Sequence, residues 1–116
     1  MNRDLSRIEH MLEAMRKATE SLAGISLEQF LSDSDKMAAA ERYVTIVGEA
    51  ANMISEETKA KYPNVPWREA VDMRNFIMHE YMKVDNIVVW DAVKRDFPEL
   101  ERALRDIQGS FPWPTD

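Results

Sequence analysis

The eight residues from Arg74 to Tyr81 bring together side chains that can act on a phosphate ester. Arg74 carries a permanent cation whose forked donors match phosphate oxygens, and His79 can move a proton near neutral pH. Asn75 and Tyr81 add an amide and a phenol within the same short stretch. These four residues are the candidate site, and the rest of the chain must position them.

Cleavage of RNA needs little beyond these groups, because the substrate carries its own nucleophile, the 2′-hydroxyl. An enzyme must supply a proton acceptor, a proton donor and a cation for the pentavalent phosphate. His79 can be the acceptor or the donor and Arg74 the cation, so we expect neither a metal ion nor a cofactor. The second histidine, His10, is expected to be an exposed spacer. A dimer would bring two copies of His79, one for each proton transfer.

The spacing of Arg74 and His79 sets a geometric problem. Five residues of α-helix rotate by about 500°, so the two side chains would point about 140° apart and lie about 7.5 Å apart along the axis. A straight helix therefore does not bring them together. Either the helix unwinds around residues 78–81, or a second copy of the chain completes the site. We expect a homodimer built across this helix, with both effects contributing.

The first half of the chain has a helical period. Apolar residues recur at three- and four-residue intervals over residues 5–22, which predicts a helix that Gly24 ends. Ser26 is expected to cap a short turn of helix. A second long helix is predicted from about Lys36 to Thr58. Three small residues in this helix would let a neighbouring helix approach closely: Gly48, Ala50 and Ala51.

The helix that carries the candidate site is expected to begin at Trp67. Two prolines predict a loop over residues 59–66 before it. The helix should fade near Tyr81, after which Asp85 is a suitable cap for a fourth helix. Glu49, in the middle of the second helix, is either exposed or paired with Arg74, and we expect it to be exposed or to lie at an interface.

The C-terminal region is predicted to contain a break. Asp96 and Glu99 have the spacing of a capping box, and Pro98 suits a first helical turn. We therefore expect one helix to end near Arg95 and another to span residues 97–108, followed by an irregular tail at residues 109–116. No stretch alternates as a strand does. The predicted fold class is all-α, a small antiparallel helical bundle of four main helices with short extra helices.

Length and composition limit the possible functions. The 116 residues predict one domain, spanning residues 1–116. The chain has no cysteine, which excludes disulfides and thiolate chemistry. No apolar run is long enough to cross a membrane and no signal peptide is evident, so we expect a cytoplasmic protein. The net charge of −6 argues against general nucleic-acid coating, although two copies of Arg74 in a dimer would form a local positive focus.

The motif Arg-Asn-x3-His-x-Tyr, on the third long helix of a small bundle, resembles the HEPN-domain toxins of HEPN/MNT toxin–antitoxin modules, the HepT-like proteins. The Arg-x4-His pair alone would be a weak signal, and the extended motif in this helical context is a strong one. Further segments occur in the expected order along the chain: Gly48-Glu49-Ala50, Tyr62-Pro63, Pro66-Trp67, Asp72-Met73, Val84-Asp85, Val89-Trp90 and Phe97-Pro98-Glu99-Leu100.

This resemblance implies a specific function. It implies a metal-independent endoribonuclease, acting as a homodimer, that is the toxin of a type VII-like toxin–antitoxin module. Arg74 would bind the scissile phosphate, His79 would transfer protons, and Asn75 would orient the imidazole or the phosphate. An MNT-type nucleotidyltransferase antitoxin would attach AMP to Tyr81. The RNA substrate, tRNA or mRNA, is left open.

Other interpretations compete with this one. Taken singly, Arg74 would pair with Glu69, Asp72 or Glu80, His79 would interact with a helix dipole, and Tyr81 would be a core residue. The combined motif favours the catalytic interpretation for Arg74 and His79. Two other functions remain open: a non-catalytic subunit that presents nucleotide or substrate to a nucleotidyltransferase, and a structural dimerisation bundle.

Overall fold

The computed structural model describes residues 3–79 and 85–110, without the side chains of residues 76–79 and 110. Every regular element in these ranges is helical, which confirms the all-α fold class. Seven α-helices and one π-helical segment follow in order: α1 Asp4–Leu22, α2 Leu27–Leu31, α3 Ser34–Met53, α4 Glu56–Lys61, α5 Trp67–His79, α6 Asn86–Asp91, the π-helical segment Ala92–Asp96 and α7 Phe97–Ser110. The long helices are α1, α3, α5 and α7, in agreement with the predicted four main helices.

Helix α3 is the centre of the packing, because it contacts α1 along one side and α5 along another. Helix α7 and the π-helical segment pack on α1. The largest fully buried side chains come from α1, α2, α3, α6, α7 and the π-helical segment: Ile8, Met11, Met15, Leu22, Phe30, Val44, Val47, Val89, Val93, Phe97, Leu100 and Leu104. The helix that carries the candidate site, α5, thus lies against the central helix α3. No helix in the described part of the chain is long and apolar enough to span a membrane.

The predicted end of α1 and the predicted cap of α2 are both confirmed. Gly24 has a φ of 78°, which a residue with a side chain rarely adopts. Ser26 forms a capping box with Gln29 at the start of α2. Two lysines from elsewhere in the chain also bind the last turn of α1: Lys36 Nζ donates to the Ser21 carbonyl at 3.0 Å and Lys94 Nζ to the Leu22 carbonyl at 2.9 Å.

The prediction that the second long helix reaches Thr58 is wrong. Helix α3 ends at Met53, and Ser55 caps a separate helix, α4, through a bond from the Thr58 amide. The cause is Asp4, whose buried carboxylate accepts hydrogen bonds from the Ser55 amide, the Ser55 hydroxyl and the Thr58 hydroxyl. The predicted loop is correspondingly shorter, since α4 continues to Lys61.

Burial alone would raise the pKa of the Asp4 carboxyl, but the hydrogen bonds from Ser55 and Thr58 and the nearby Arg7 outweigh it, so the pKa lies below its usual value. The charged carboxylate therefore joins the start of α1 to the start of α4. This contact fixes the direction in which the chain leaves α3 on its way to α5.

Trp67 begins α5, as predicted, and anchors it. Its indole is buried, and its Nε1–H donates to the Tyr62 carbonyl at 3.0 Å. Proline at position 66 precedes the helix, where a missing amide hydrogen costs nothing in helical hydrogen bonding. The first turn of α5 is therefore held to the preceding loop as well as to the core.

The predicted break near Asp96 does not occur. Asp85 caps α6 as predicted, but the chain then continues through the π-helical segment directly into α7. Pro98 would clash with the carbonyl of residue 94 in a regular α-helix, and the wider π turn accommodates it. Gly109 and Ser110, predicted to be irregular, belong to α7, while residues 111–116 lie outside the described residues.

Candidate active site

Helix α5 carries the candidate site on its second half. The side chains of Arg74 and Asn75 are described, and both are half-buried. His79 is the last described residue of α5, and only its helical backbone is described. Tyr81 lies outside the described residues. The structure therefore describes the side chains of Arg74 and Asn75, which form the cationic part of the site.

The Arg74 guanidinium is held by its neighbour. Its Nε–H and Nη2–H groups donate to the Asn75 Oδ1 at 3.2 and 2.6 Å. A guanidinium has five N–H donors, and the hydrogen bonds to Asn75 use two of them, so the described residues leave three for an anionic ligand. Asn75 was expected to orient the imidazole or the phosphate, and in this structure its amide oxygen orients the cation.

The charge of Arg74 has no carboxylate partner in the described part of the chain. Glu69 and Asp72, the two carboxylates proposed as alternatives, form no ion pair with it, and Glu80 lies outside the described residues. The ion pairs in the described residues join other side chains, such as Arg16 with Glu13 and Glu20. Because Asn75 is neutral, its hydrogen bonds fix the direction of the guanidinium without cancelling its charge.

The path of α5 also limits where the site can form. The helix is continuous through His79, so no unwinding separates Arg74 from His79. On a continuous helix two side chains five residues apart diverge by about 140°. The unwinding expected from residue 78 is therefore not found at residues 78 and 79, and residues 80 and 81 lie outside the described residues.

Helix α3 approaches α5 very closely beside Arg74. A Cβ atom placed on Gly48 would lie 2.3 Å from the Arg74 Cβ and 3.0 Å from both the Arg74 amide nitrogen and the Ala70 carbonyl oxygen. The prediction that small residues of the second helix admit a neighbour is confirmed at this position. Glu49, next in the chain, is exposed, and so is His10 on α1, both as expected.

A cavity on another side of α5 was not foreseen from the sequence. It has a volume of about 230 Å³ and lies between α5 and the region around the start of α7. Its acidic lining residues are Glu69, Asp96 and Glu99. Burial, together with the charges of Asp91 and Glu99, raises the pKa of the Asp96 carboxyl. The residues that line this cavity do not include Arg74 or Asn75, so it is separate from the candidate site.

The described residues contain no cluster of three or more His, Asp or Glu side chains suited to hold a metal ion.

Comparison with known proteins identifies the family. The model of the HepT-like ribonucleases matches residues 11–107, most of the chain. The chain belongs to the HepT-like ribonuclease family. The matched residues include Arg74, Asn75, His79 and Tyr81. The resemblance stated from the motif is thereby confirmed.

The matches to individual relatives extend over most of this chain and most of each relative. A candidate RNase of Caldanaerobacter subterraneus is 34% identical over 100 residues, 86% of this chain and 89% of the relative. A protein of Thermococcus cleftensis named for the ribonuclease HepT is 37% identical over 94 residues, 81% of this chain and 86% of the relative. A candidate RNase of Methanocaldococcus jannaschii is 34% identical over the same shares of the two chains. No solved structure matches the chain.

Proposed function

We propose that this protein is a metal-independent endoribonuclease that cleaves RNA in the cytoplasm. The observation that carries the proposal is the state of Arg74: within the described residues, its guanidinium is oriented by the neutral Asn75 and has no carboxylate partner. A fixed cation with unused donors suits a phosphodiester whose negative charge increases in the transition state. Membership of a ribonuclease family supports the same chemistry.

The proposed reaction uses the 2′-hydroxyl of the substrate as nucleophile. A base removes the hydroxyl proton as the 2′-oxygen attacks the adjacent phosphorus, and an acid protonates the 5′-oxygen as its bond to phosphorus breaks. The products are a 2′,3′-cyclic phosphate and a 5′-hydroxyl. Arg74 binds the non-bridging oxygens, and His79 performs the proton transfers. No step requires a metal-bound water, because water is not the nucleophile.

We further propose that the active form is a homodimer. Positions 74 and 79 of the continuous helix α5 lie about 140° apart around its axis, so a second copy of α5 would supply the missing groups to each cleft. Two copies of His79 would provide a base and an acid together. Two copies of Arg74 would raise the local positive potential that an acidic chain with net charge −6 otherwise lacks.

Regulation by a nucleotidyltransferase antitoxin completes the proposal. In the transfer, the Tyr81 phenol oxygen would attack the α-phosphorus of ATP, with AMP becoming bound to the tyrosine and pyrophosphate leaving. Tyr81 is two residues from His79, so the added bulk and negative charge would obstruct a cleft that must admit RNA. The protein would then act as the toxin of a toxin–antitoxin pair.

The central test is cleavage of RNA by the purified protein, with and without EDTA. Wild-type protein should yield 2′,3′-cyclic phosphate ends in both conditions, and Arg74→Ala and His79→Ala should each abolish cleavage. Matched controls are Arg68→Ala, an exposed arginine on the same helix, and His10→Ala, an exposed histidine on α1. Intact RNA after incubation with unmodified wild-type protein would refute the nuclease. Binding to the nucleotidyltransferase with no cleavage would instead identify a non-catalytic subunit.

The modification has a separate test. Co-expression with the partner nucleotidyltransferase should raise the mass of the chain by one or more AMP units, and Tyr81→Phe should prevent this while Tyr43→Phe should not. An unchanged mass in wild-type protein would remove the modification and leave the nuclease proposal intact.

A further inference from the structure

Gly48 lies where α3 approaches α5 very closely beside the candidate site. It is buried in the middle of α3, and any Cβ atom at this position would lie 2.3 Å from the Arg74 Cβ. Real Cβ atoms essentially never approach other atoms within 3.0 Å. A larger residue at position 48 would therefore force α3 and α5 apart or displace Arg74.

This contact is not a general property of glycine in this protein. Gly109 also lies within a helix, and no atom of the described residues would lie within 4 Å of a Cβ added there. Glycine in a helix interior costs about 1 kcal/mol relative to alanine. At position 109 nothing in the described surroundings requires glycine, whereas at position 48 the neighbouring helix leaves no space for a side chain.

The contact falls on the functional residue itself. Two of the three closest atoms, the Cβ and the amide nitrogen, belong to Arg74, and the third is the carbonyl oxygen of Ala70, one turn earlier. The Cβ is the atom from which the arginine side chain starts, and its far end is held by Asn75. The approach of Gly48 thus determines where the Arg74 side chain begins, and Asn75 determines the direction of its guanidinium.

We propose that Gly48 is a positioning residue for the ribonuclease reaction, acting through Arg74. It lets α5 lie deep against α3, and this depth determines how far the guanidinium reaches towards the substrate phosphate. The inference rests on the proposed function of Arg74. Misplacement of a reacting group by about 1 Å can lower a rate by about a hundredfold, so a shift forced by one methyl group is sufficient to matter.

The kinetic test compares Gly48→Ala with Gly109→Ala, which add the same methyl group to two helical glycines. Gly48→Ala that remains folded by circular dichroism should lose about tenfold or more in kcat with little change in KM, because Arg74 is still present but displaced. Gly109→Ala should retain the wild-type kcat and KM. Wild-type kcat in folded Gly48→Ala would overturn the proposal.

A stability cycle tests the contact without relying on activity. Arg74→Gly removes the Cβ that clashes, whereas Arg74→Ala keeps it. The loss of Tm caused by Gly48→Ala should therefore shrink by at least half in the Arg74→Gly background and persist in the Arg74→Ala background. If Gly48→Ala alone does not fold, Arg74→Gly should restore folding and Arg74→Ala should not. Equal losses in both backgrounds would overturn the proposal.

A spectroscopic signal separates failure of this inference from failure of the proposed function. The NMR cross-peak of the Arg74 Nε–H, identified by its absence in Arg74→Ala, should shift in Gly48→Ala and stay unchanged in Gly109→Ala. Wild-type protein that leaves RNA intact would refute the proposed function, whatever this signal does. Active wild-type protein with an unmoved signal in Gly48→Ala would refute the positioning role of Gly48.

Discussion

Replacing Asn75 should reveal how much of the activity depends on holding the Arg74 guanidinium in one direction. In Asn75→Ala the two hydrogen bonds at 3.2 and 2.6 Å are lost, and the side chain regains its rotational freedom. Ordering a long side chain costs about 1–2 kcal/mol, which the substrate complex would now have to supply. Since about 1.4 kcal/mol corresponds to tenfold in rate, kcat/KM should fall roughly 5- to 30-fold.

A second substitution at the same position separates orientation from charge. In Asn75→Asp the carboxylate can still accept both N–H groups, and more strongly, but it also offsets the positive charge. We expect kcat to stay within about threefold of wild type and KM to rise on the order of threefold to tenfold, because a nearby negative charge repels the phosphate. Loss of the held direction should therefore lower kcat in Asn75→Ala, whereas Asn75→Asp should differ from wild type mainly in KM.

The assay is steady-state cleavage of a fluorogenic RNA oligonucleotide, with folding of each variant checked by its Tm. Asn52→Ala, which removes an exposed asparagine on α3, is the matched control and should behave as wild type. Unchanged kcat/KM in Asn75→Ala would refute the orienting role of Asn75. An equal loss of kcat in Asn75→Ala and Asn75→Asp would show that the held direction of the guanidinium is not what matters.

Further predictions concern the carboxylates of Asp4 and Asp96 and the proposed dimer. Asp4→Asn should lower the free energy of unfolding by about 2–4 kcal/mol in chemical denaturation, because hydrogen bonds from Ser55 and Thr58 to a buried charge are worth about 1.5–3 kcal/mol each and some are retained. The pKa of Asp4 is lowered in the folded state, so the contribution of its carboxylate to folding stability is present above pH 3.8 and is lost as the pH falls through the folded pKa. Asp4→Asn should therefore flatten the acidic part of the curve of Tm against pH. The pKa of Asp96 is raised in the folded state, so its charged form destabilises the fold above that pKa. Asp96→Asn should therefore raise the Tm at neutral pH. Below pH 3.8, where the carboxyl of Asp96 is protonated in both states, the variant and the wild type should have similar Tm values. Light scattering should give twice the chain mass of 13.5 kDa, and the specific activity should fall on dilution in step with dissociation; full activity of a monomer would contradict the shared cleft.

The positions of most helices follow from short-range signals in the sequence. Ser26 and Asp85 cap the helices that they were predicted to cap, and Gly24 ends α1. These signals are readable because a cap binds amide groups two or three residues away, within the same segment. The apolar period over residues 5–22 predicted α1, and this signal too lies within one segment.

The wrong boundaries have distant or unusual causes. Helix α3 ends early because Ser55 binds Asp4, a partner 51 positions away in the chain. The predicted break at Asp96 is replaced by a π-helical segment that absorbs Pro98 within a continuous helix. The capping-box spacing of Asp96 and Glu99 could not show that the helix continues, because such spacing describes one segment and not what packs against it.

The sequence by itself determined the family, the helical class and the residue types of the candidate site, because the Arg-Asn-x3-His-x-Tyr motif and the helical period are local patterns. Only the tertiary structure decided that Gly48 of α3 lies against the base of Arg74 and that Asn75 holds its guanidinium. The physical reason is that side-chain direction and helix separation depend on steric contact between segments. The spacing of residues along one helix identifies the reactive groups, and the packing between helices determines where the Arg74 guanidinium lies.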